Sequence, residues 1–168
     1  MVTDSQSNRR YSGRILVLGL GNILLKDEGI GVHVVAELQK RQLPDNVEAI
    51  DGGTSGLDIL LVQEKPYRLV VIDAMKAGRK PGTIYRTRVK ADEMDRLTHI
   101  FSKKKHSTVS LHQLGLVDAL LVAEKTDCAP DEITIIGVEP GEIDGGLELT
   151  ESVQQRMPEI INSVLEEI

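Results

Sequence analysis

The chain has 168 residues, of which 40% are hydrophobic, a size and composition that fit one domain with a sizeable core. An aromatic share of only 2% predicts an aliphatic core and argues against single-stranded nucleic-acid binding, which depends on base stacking. The net charge of −6 also disfavours a polyanionic partner, so we expect no nucleic acid among the ligands.

The chain begins with polar residues and then alternates short apolar runs with helix-spaced patterns. Residues 1–13 are rich in Ser, Asn, Asp and Arg, which indicates a flexible tail. In chain order, the pattern then predicts a strand at 14–19, a helix at 31–41, a strand at 47–51, a helix at 54–64, strands at 68–73 and 83–89, a helix at 110–124, a strand at 133–138 and a final helix at 150–168. Thr150 is the predicted N-cap of that last helix, and Pro158 is expected to kink it near its start.

This alternation predicts an α/β fold: a three-layer α/β/α sandwich with a mostly parallel central sheet, in a single domain over residues 14–168. Cys128 is the only cysteine, which excludes an intrachain disulfide and favours a reduced, cytoplasmic setting. No apolar run is long enough to span a membrane, so we expect no membrane partner. A monomer is the default expectation for a small acidic domain.

Three residues with metal-binding side chains lie where an α/β fold places its ligands, beyond the carboxyl ends of the strands. Glu28 lies in the loop after the first strand, and Asp73 ends the most apolar central strand. His112 lies in Ser-Leu-His-Gln, whose Ser and Gln have capping-box spacing, so the helix dipole would keep the imidazole neutral. Two carboxylates and one imidazole suit zinc or nickel and leave a coordination position open. Taken singly, each residue also fits a structural or solvated role.

Other interpretations of these segments are weaker. The turn that contains Gly19 and Gly21 lacks the third glycine of a dinucleotide fingerprint, because Leu24 occupies that position. A triad of Ser55 with Asp51 and His112 has no sequence feature that fixes its geometry. His33 follows Glu28 by five residues, so the two would not share a helical face, and a flanking role is expected for it.

The assembled motifs resemble the hydrogenase maturation protease family, the hydrogenase-specific C-terminal endopeptidases. The resemblance spans about residues 14–155, and its most specific parts are the first strand with its Asp-Glu-Gly turn and the Ser-x-His-Gln segment. The matching segments are 15–31, 51–56, 71–74, 81–83, 110–115 and 136–140.

The resemblance implies that Glu28, Asp73 and His112 contact the metal, the same three residues to which the site chemistry points. It also matches Asp27 and Asp51 to family positions of less settled role, and we hypothesise that one of them orients the attacking water. The implied activity is removal of a C-terminal extension from the large-subunit precursor of a [NiFe]-hydrogenase after nickel insertion. Nickel in the precursor would be the recognition element, so the free enzyme need not hold its own metal.

Two alternatives to this metal-dependent endopeptidase stay open at the level of sequence. A self-sufficient peptidase would carry zinc or another divalent ion on the same three residues. A non-catalytic, nickel-dependent assembly chaperone would bind the precursor without shortening it.

Overall fold

A computed structural model describes residues 13–55, 58, 64–90, 93 and 111–168, without the side chains of 111–114 and 117. Three predicted features therefore lie outside the described residues: the tail up to residue 12, most of the helix at 54–64, and Ser110, the predicted start of the third helix. Within the described chain, no helix is long and apolar enough to cross a membrane.

A five-stranded sheet forms the centre of the protein. Its strands are β1 (Ile15–Leu20), β2 (Val47–Gly53), β3 (Arg68–Ala74), β4 (Ile84–Lys90) and β5 (Glu132–Val138), and their order is β2-β1-β3-β5-β4. The first four in that order are parallel, and β4 is antiparallel to β5 at the edge. The mostly parallel sheet is thus confirmed, and the alternating exposure of β4 suits an edge strand with one covered face.

Helices cover both faces of this sheet. On one face lie α1 (Ile30–Gln39) and the C-terminal helices α3 (Glu151–Gln154) and α4 (Met157–Leu165), packed on Val17, Val70 and Ile72. On the other face, α2 (Leu111–Lys125) packs through Leu116, Leu120 and Ala123 against Leu69 and Val71. The three-layer architecture is confirmed, with aliphatic cores on both sides of the sheet as the composition predicts.

The C-terminal segment departs from the single helix expected over 150–168. It breaks at residues 155–156 into α3 and α4, and Pro158 lies in the first turn of α4 instead of kinking one longer helix. Proline has no N–H to donate to the preceding turn, so a new helix begins where that donor is not needed. Thr150 does occupy the N-cap position of α3, but its side chain makes no capping hydrogen bond and donates instead to Asp27.

Candidate active site

Glu28 is positioned by a 3-10 turn, Lys26–Gly29, between β1 and α1. Two glycines permit the close packing of this turn. Gly21 has φ +132°, and a Cβ there would lie 1.9 Å from the carbonyl oxygen of Glu28. A Cβ on Gly31 would lie 2.3 Å from the carbonyl oxygen of Ile72. The turn and the start of α1 therefore pack directly on the carboxyl ends of β1 and β3, which brings Glu28 towards Asp73.

Asp73 lies near the end of β3 and is only 2% exposed. Its Oδ1 accepts a hydrogen bond from the N–H of Ala74 at 2.8 Å, whereas its Oδ2 is buried without a partner among the described residues. Burial raises the pKa of Asp73 from 3.8 to about 7; the Ala74 bond opposes this rise, and the negative charge of Glu28 adds to it. A buried carboxylate oxygen without a donor is costly, which is typical of a site that receives a cation or a proton.

His112 lies in the first turn of α2, as the capping pattern predicts, but its side chain lies outside the described part of the molecule. The position of α2 is nevertheless informative. Side chains alternate along a strand, so Asp73 projects to the face of Leu69 and Val71, the face that α2 covers. The helix ends seven residues before β5 begins, so it runs antiparallel to the parallel strands. Its first turn therefore lies towards the carboxyl ends of the strands, where Asp73 is located.

The described side chains include two of the three predicted metal ligands, Glu28 and Asp73. Among the side chains that the structure describes, no group of three His, Cys, Asp or Glu residues could hold a metal ion. Asp73 and Glu28 offer two carboxylates close enough to interact, and the orphaned Oδ2 of Asp73 fits an incoming cation. Oxygen donors with one imidazole suit a divalent transition metal, so the donor set is compatible with the predicted ligands.

Asp27, a tentative catalytic residue, is fully buried and has both carboxylate oxygens occupied. Oδ1 accepts from the N–H of Thr150 at 2.7 Å, and Oδ2 accepts from the N–H groups of Gly141 and Glu142 at 2.7 and 3.1 Å and from Thr150 Oγ1 at 2.6 Å. A carboxylate that accepts four hydrogen bonds from the protein and is closed off from solvent is poorly placed to orient an attacking water. This geometry favours a structural role for Asp27.

Asp51, the second tentative catalytic residue, lies on the edge strand β2 with its side chain exposed. Val47 and Ala49 of that strand pack on the α1 side of the sheet, so alternation turns Asp51 to the same side. Asp73 projects to the opposite face, and β1 lies between the two strands. Asp51 Oδ1 instead accepts from the N–H of Gly53 at 2.8 Å, which fixes the turn after β2. The structure does not bring Asp51 together with Asp73.

The family follows from comparison of the chain with known proteins. The sequence profile described as hydrogenase maturation protease matches residues 32–167. The chain is 40% identical over 159 residues to the hydrogenase expression/formation protein HupD of Bradyrhizobium diazoefficiens, covering 94% of this chain and 76% of that protein. It is 39% identical over 154 residues to the hydrogenase 2 maturation protease of Escherichia coli, covering 90% and 88%. The chain belongs to the hydrogenase maturation protease family.

A solved structure supports this membership at the level of the fold. The hydrogenase maturating endopeptidase HybD from E. coli superimposes with a TM-score of 0.78 at 36% sequence identity, over 92% of this chain and 91% of that one. The predicted resemblance is therefore confirmed, and the fold of this protease-family member matches that of a solved endopeptidase.

Glu139 is a residue of this site region that the sequence patterns did not single out. It follows β5, is 3% exposed, and accepts hydrogen bonds from the N–H groups of Ala77 and Gly78 at 2.8 and 3.0 Å and from the Tyr85 hydroxyl. Burial alone would raise the pKa of Glu139, but these hydrogen bonds outweigh it and lower the pKa. Glu139 thus fixes the loop that leaves Asp73. The sequence signals for Glu139 were an acidic residue directly after a buried strand and its place in the matching segment 136–140.

His33 lies on α1 and is half-buried, in agreement with the flanking position expected for it. Its Nε2 is buried without a hydrogen-bond partner among the described residues. Asp73 Oδ2 is the other orphaned buried side-chain atom in the described chain, and Asp73 interacts with the charge of Glu28.

Proposed function

We propose that this protein is an endopeptidase that removes the C-terminal extension of a [NiFe]-hydrogenase large-subunit precursor after nickel has been inserted. The observation that carries the proposal is the buried carboxylate of Asp73, whose Oδ2 has no partner in the described chain and which interacts with Glu28. In a member of the hydrogenase maturation protease family, such a pair at the carboxyl edge of the sheet is suited to a metal-bearing substrate.

Nickel would be part of the substrate, because the precursor would deliver it to the enzyme. Glu28 and Asp73, with His112 as the third ligand, would contact it; zinc or another divalent ion is compatible with the same donors. When bound, a divalent metal polarises a carbonyl oxygen or lowers the pKa of a water molecule towards neutrality.

The chain's own residues supply binding and proton storage. With a pKa of about 7, the Asp73 carboxyl holds a proton in much of the free protein and releases it when a cation arrives. Glu28 is half-buried, so its carboxylate can meet a substrate from solvent while the turn that holds it stays packed. Asp27 contributes indirectly, because its hydrogen bonds to Gly141 and Thr150 fix the turn that carries Glu28.

Substitution of the three ligands tests the proposal. Glu28→Gln, Asp73→Asn and His112→Ala are each compared with wild type and with Asp45→Asn, a change at an exposed carboxylate. Purified variants receive nickel-loaded precursor, and intact masses are followed with time. Loss of a metal ligand should reduce the rate of shortening by at least about 100-fold, whereas Asp45→Asn should process at the wild-type rate.

Two results would redirect the assignment. Stable binding of loaded precursor by wild-type protein without shortening would indicate an assembly chaperone. Stoichiometric zinc in protein purified without added metal, together with cleavage of nickel-free precursor, would indicate a self-sufficient metallopeptidase. Wild-type rates in all three ligand variants would remove the proposed site.

A further inference from the structure

Four large apolar side chains lie exposed on two loops beside Glu28. Ile23 and Leu24 follow β1 and are 43% and 60% exposed; Ile143 and Leu147 follow β5 and are 45% and 62% exposed. Among the described residues, the other large apolar side chain with comparable exposure is Val122 on α2, at 46%. We call Ile23, Leu24, Ile143 and Leu147 the apolar patch.

Backbone hydrogen bonds join the two loops of the apolar patch into one surface. The N–H of Gly146 donates to the carbonyl of Leu24 at 2.9 Å, and the N–H of Lys26 donates back to the carbonyl of Gly146 at 2.9 Å. The buried carboxylate of Asp27 binds the start of the second loop through Gly141 and Glu142. The patch is thus built in advance, so a partner that covers it need not order these loops and loses less entropy on binding.

The apolar patch adjoins the turn that carries Glu28. A Cβ on Gly29 would lie 2.8 Å from the Cα of Ile23, so Ile23 packs against the residue that directly follows Glu28. A polypeptide that brings a peptide bond to Glu28 and Asp73 must also pass over neighbouring surface. Exposed large apolar side chains grouped on adjoining loops are typical of protein-binding sites.

The charge beside the apolar patch is acidic. Glu142, Asp144 and Glu148 are exposed on the second loop, and Lys26 forms an ion pair with Glu142 at 2.5 Å. Among the described residues of the two loops, one cation faces three carboxylates, so this surface favours a partner with basic residues next to its apolar ones.

We propose that the apolar patch binds an apolar segment of the hydrogenase large-subunit precursor that carries basic residues beside it, close to the bond that is cut. The inference rests on the proposed function, since the precursor is the polypeptide that must reach Glu28. In this proposal the 140–149 loop takes part in substrate recognition, and the proposed metal ligands carry out the cleavage.

The test compares the double variant Leu24→Ser/Leu147→Ser with wild type and with Val122→Ser. All three positions are exposed, and Val122 lies on α2, away from the two loops of the patch. Burial of two Leu side chains that are about three-fifths exposed contributes roughly 20- to 400-fold to affinity. We expect the double variant to raise the KM for nickel-loaded precursor by that factor with kcat unchanged, and Val122→Ser to leave KM within twofold of wild type. Glu148→Lys should also raise KM, most strongly at low salt.

Binding of the precursor is measured separately by calorimetry, so that docking and cleavage can fail independently. If the precursor binds wild type but not the double variant, and wild type does not shorten it, the docking surface is supported and the proposed peptidase activity is overturned. A KM and a dissociation constant in the double variant within twofold of wild type would overturn the docking surface alone. Wild-type protein that neither binds nor cleaves the precursor would overturn both. If sedimentation shows that wild type is a dimer and the double variant a monomer, the patch binds a second copy of this chain, and the precursor is overturned as its occupant.

Discussion

Replacement of Asp73 by Asn should make the protein more stable, and the gain should grow with pH. The native state keeps Asp73 protonated up to a pKa of about 7, whereas the unfolded chain ionises this group near 3.8. Between these values the native state binds more protons than the unfolded state, so the free energy of unfolding falls as pH rises through that window.

The size of the effect follows from the two pKa values. At 1.36 kcal/mol per pKa unit, the raised pKa of Asp73 lowers the free energy of unfolding of wild type, relative to its value at low pH, by about 2 kcal/mol at pH 5 and about 4 kcal/mol at pH 8. Asn does not titrate, and its amide oxygen can still accept the hydrogen bond from the N–H of Ala74. The stability difference between Asp73→Asn and wild type should therefore widen by about 2–3 kcal/mol from pH 5 to pH 8.

Urea unfolding at both pH values, in the presence of a chelator, measures this difference. Groups that titrate alike in the two proteins cancel, and Asp45→Asn controls for loss of an exposed carboxylate. A difference between Asp73→Asn and wild type that is the same at pH 5 and pH 8 to within about 0.5 kcal/mol would refute the reasoning, because the carboxyl would then ionise in the native state as it does in water.

Three further predictions concern the residues around the site. Asp27→Asn should lower the free energy of unfolding, measured by urea unfolding, by about 2–4 kcal/mol, because an amide nitrogen would face the N–H groups of Gly141, Glu142 or Thr150. Loss of processing at unchanged stability would instead indicate that Asp27 is catalytic. Burial and Glu139 together raise the pKa of Tyr85 to about 12, so Glu139→Gln should lower this pKa towards its usual value. Ultraviolet titration of the tyrosines measures the pKa, and an unchanged titration curve would contradict the hydrogen bond between Tyr85 and Glu139. The affinity of the free protein for Zn²⁺ should fall by about fivefold from pH 7 to pH 6, and by close to about tenfold per pH unit below that, since a proton on Asp73 competes with the metal. Asp73→Asn should remove most binding, and an affinity that stays constant between pH 5.5 and 7.5 would contradict Asp73 as a ligand.

The placement of Glu28 and Asp73 at one edge of the sheet could be predicted from sequence because it depends on local pattern. An apolar run that ends in Asp places that residue at the carboxyl end of a buried strand, and the glycine-rich turn after β1 places Glu28 at the same edge. The aliphatic core and the alternation of strands and helices likewise needed only composition and periodicity.

The roles of Asp27 and Asp51 depend on contacts that no local pattern contains. Asp27 is adjacent in sequence to Glu28 and looks equally available, yet its partners lie more than a hundred residues later, at Gly141 and Thr150. Asp51 ends a predicted strand as Asp73 does, but side chains alternate along each strand, and this alternation places the Asp51 side chain on the opposite face of the sheet from Asp73. Tertiary pairing, which is long-range, decided both cases.

The most direct test of the central claim is a comparison of nickel-loaded and nickel-free large-subunit precursor, each incubated with wild-type protein and followed by intact-mass measurement. Our account predicts loss of a C-terminal peptide from the loaded form only, with no change in the mass of the nickel-free form. Equal shortening of both forms would contradict nickel as the recognition element, and an unchanged mass for both would contradict the endopeptidase itself.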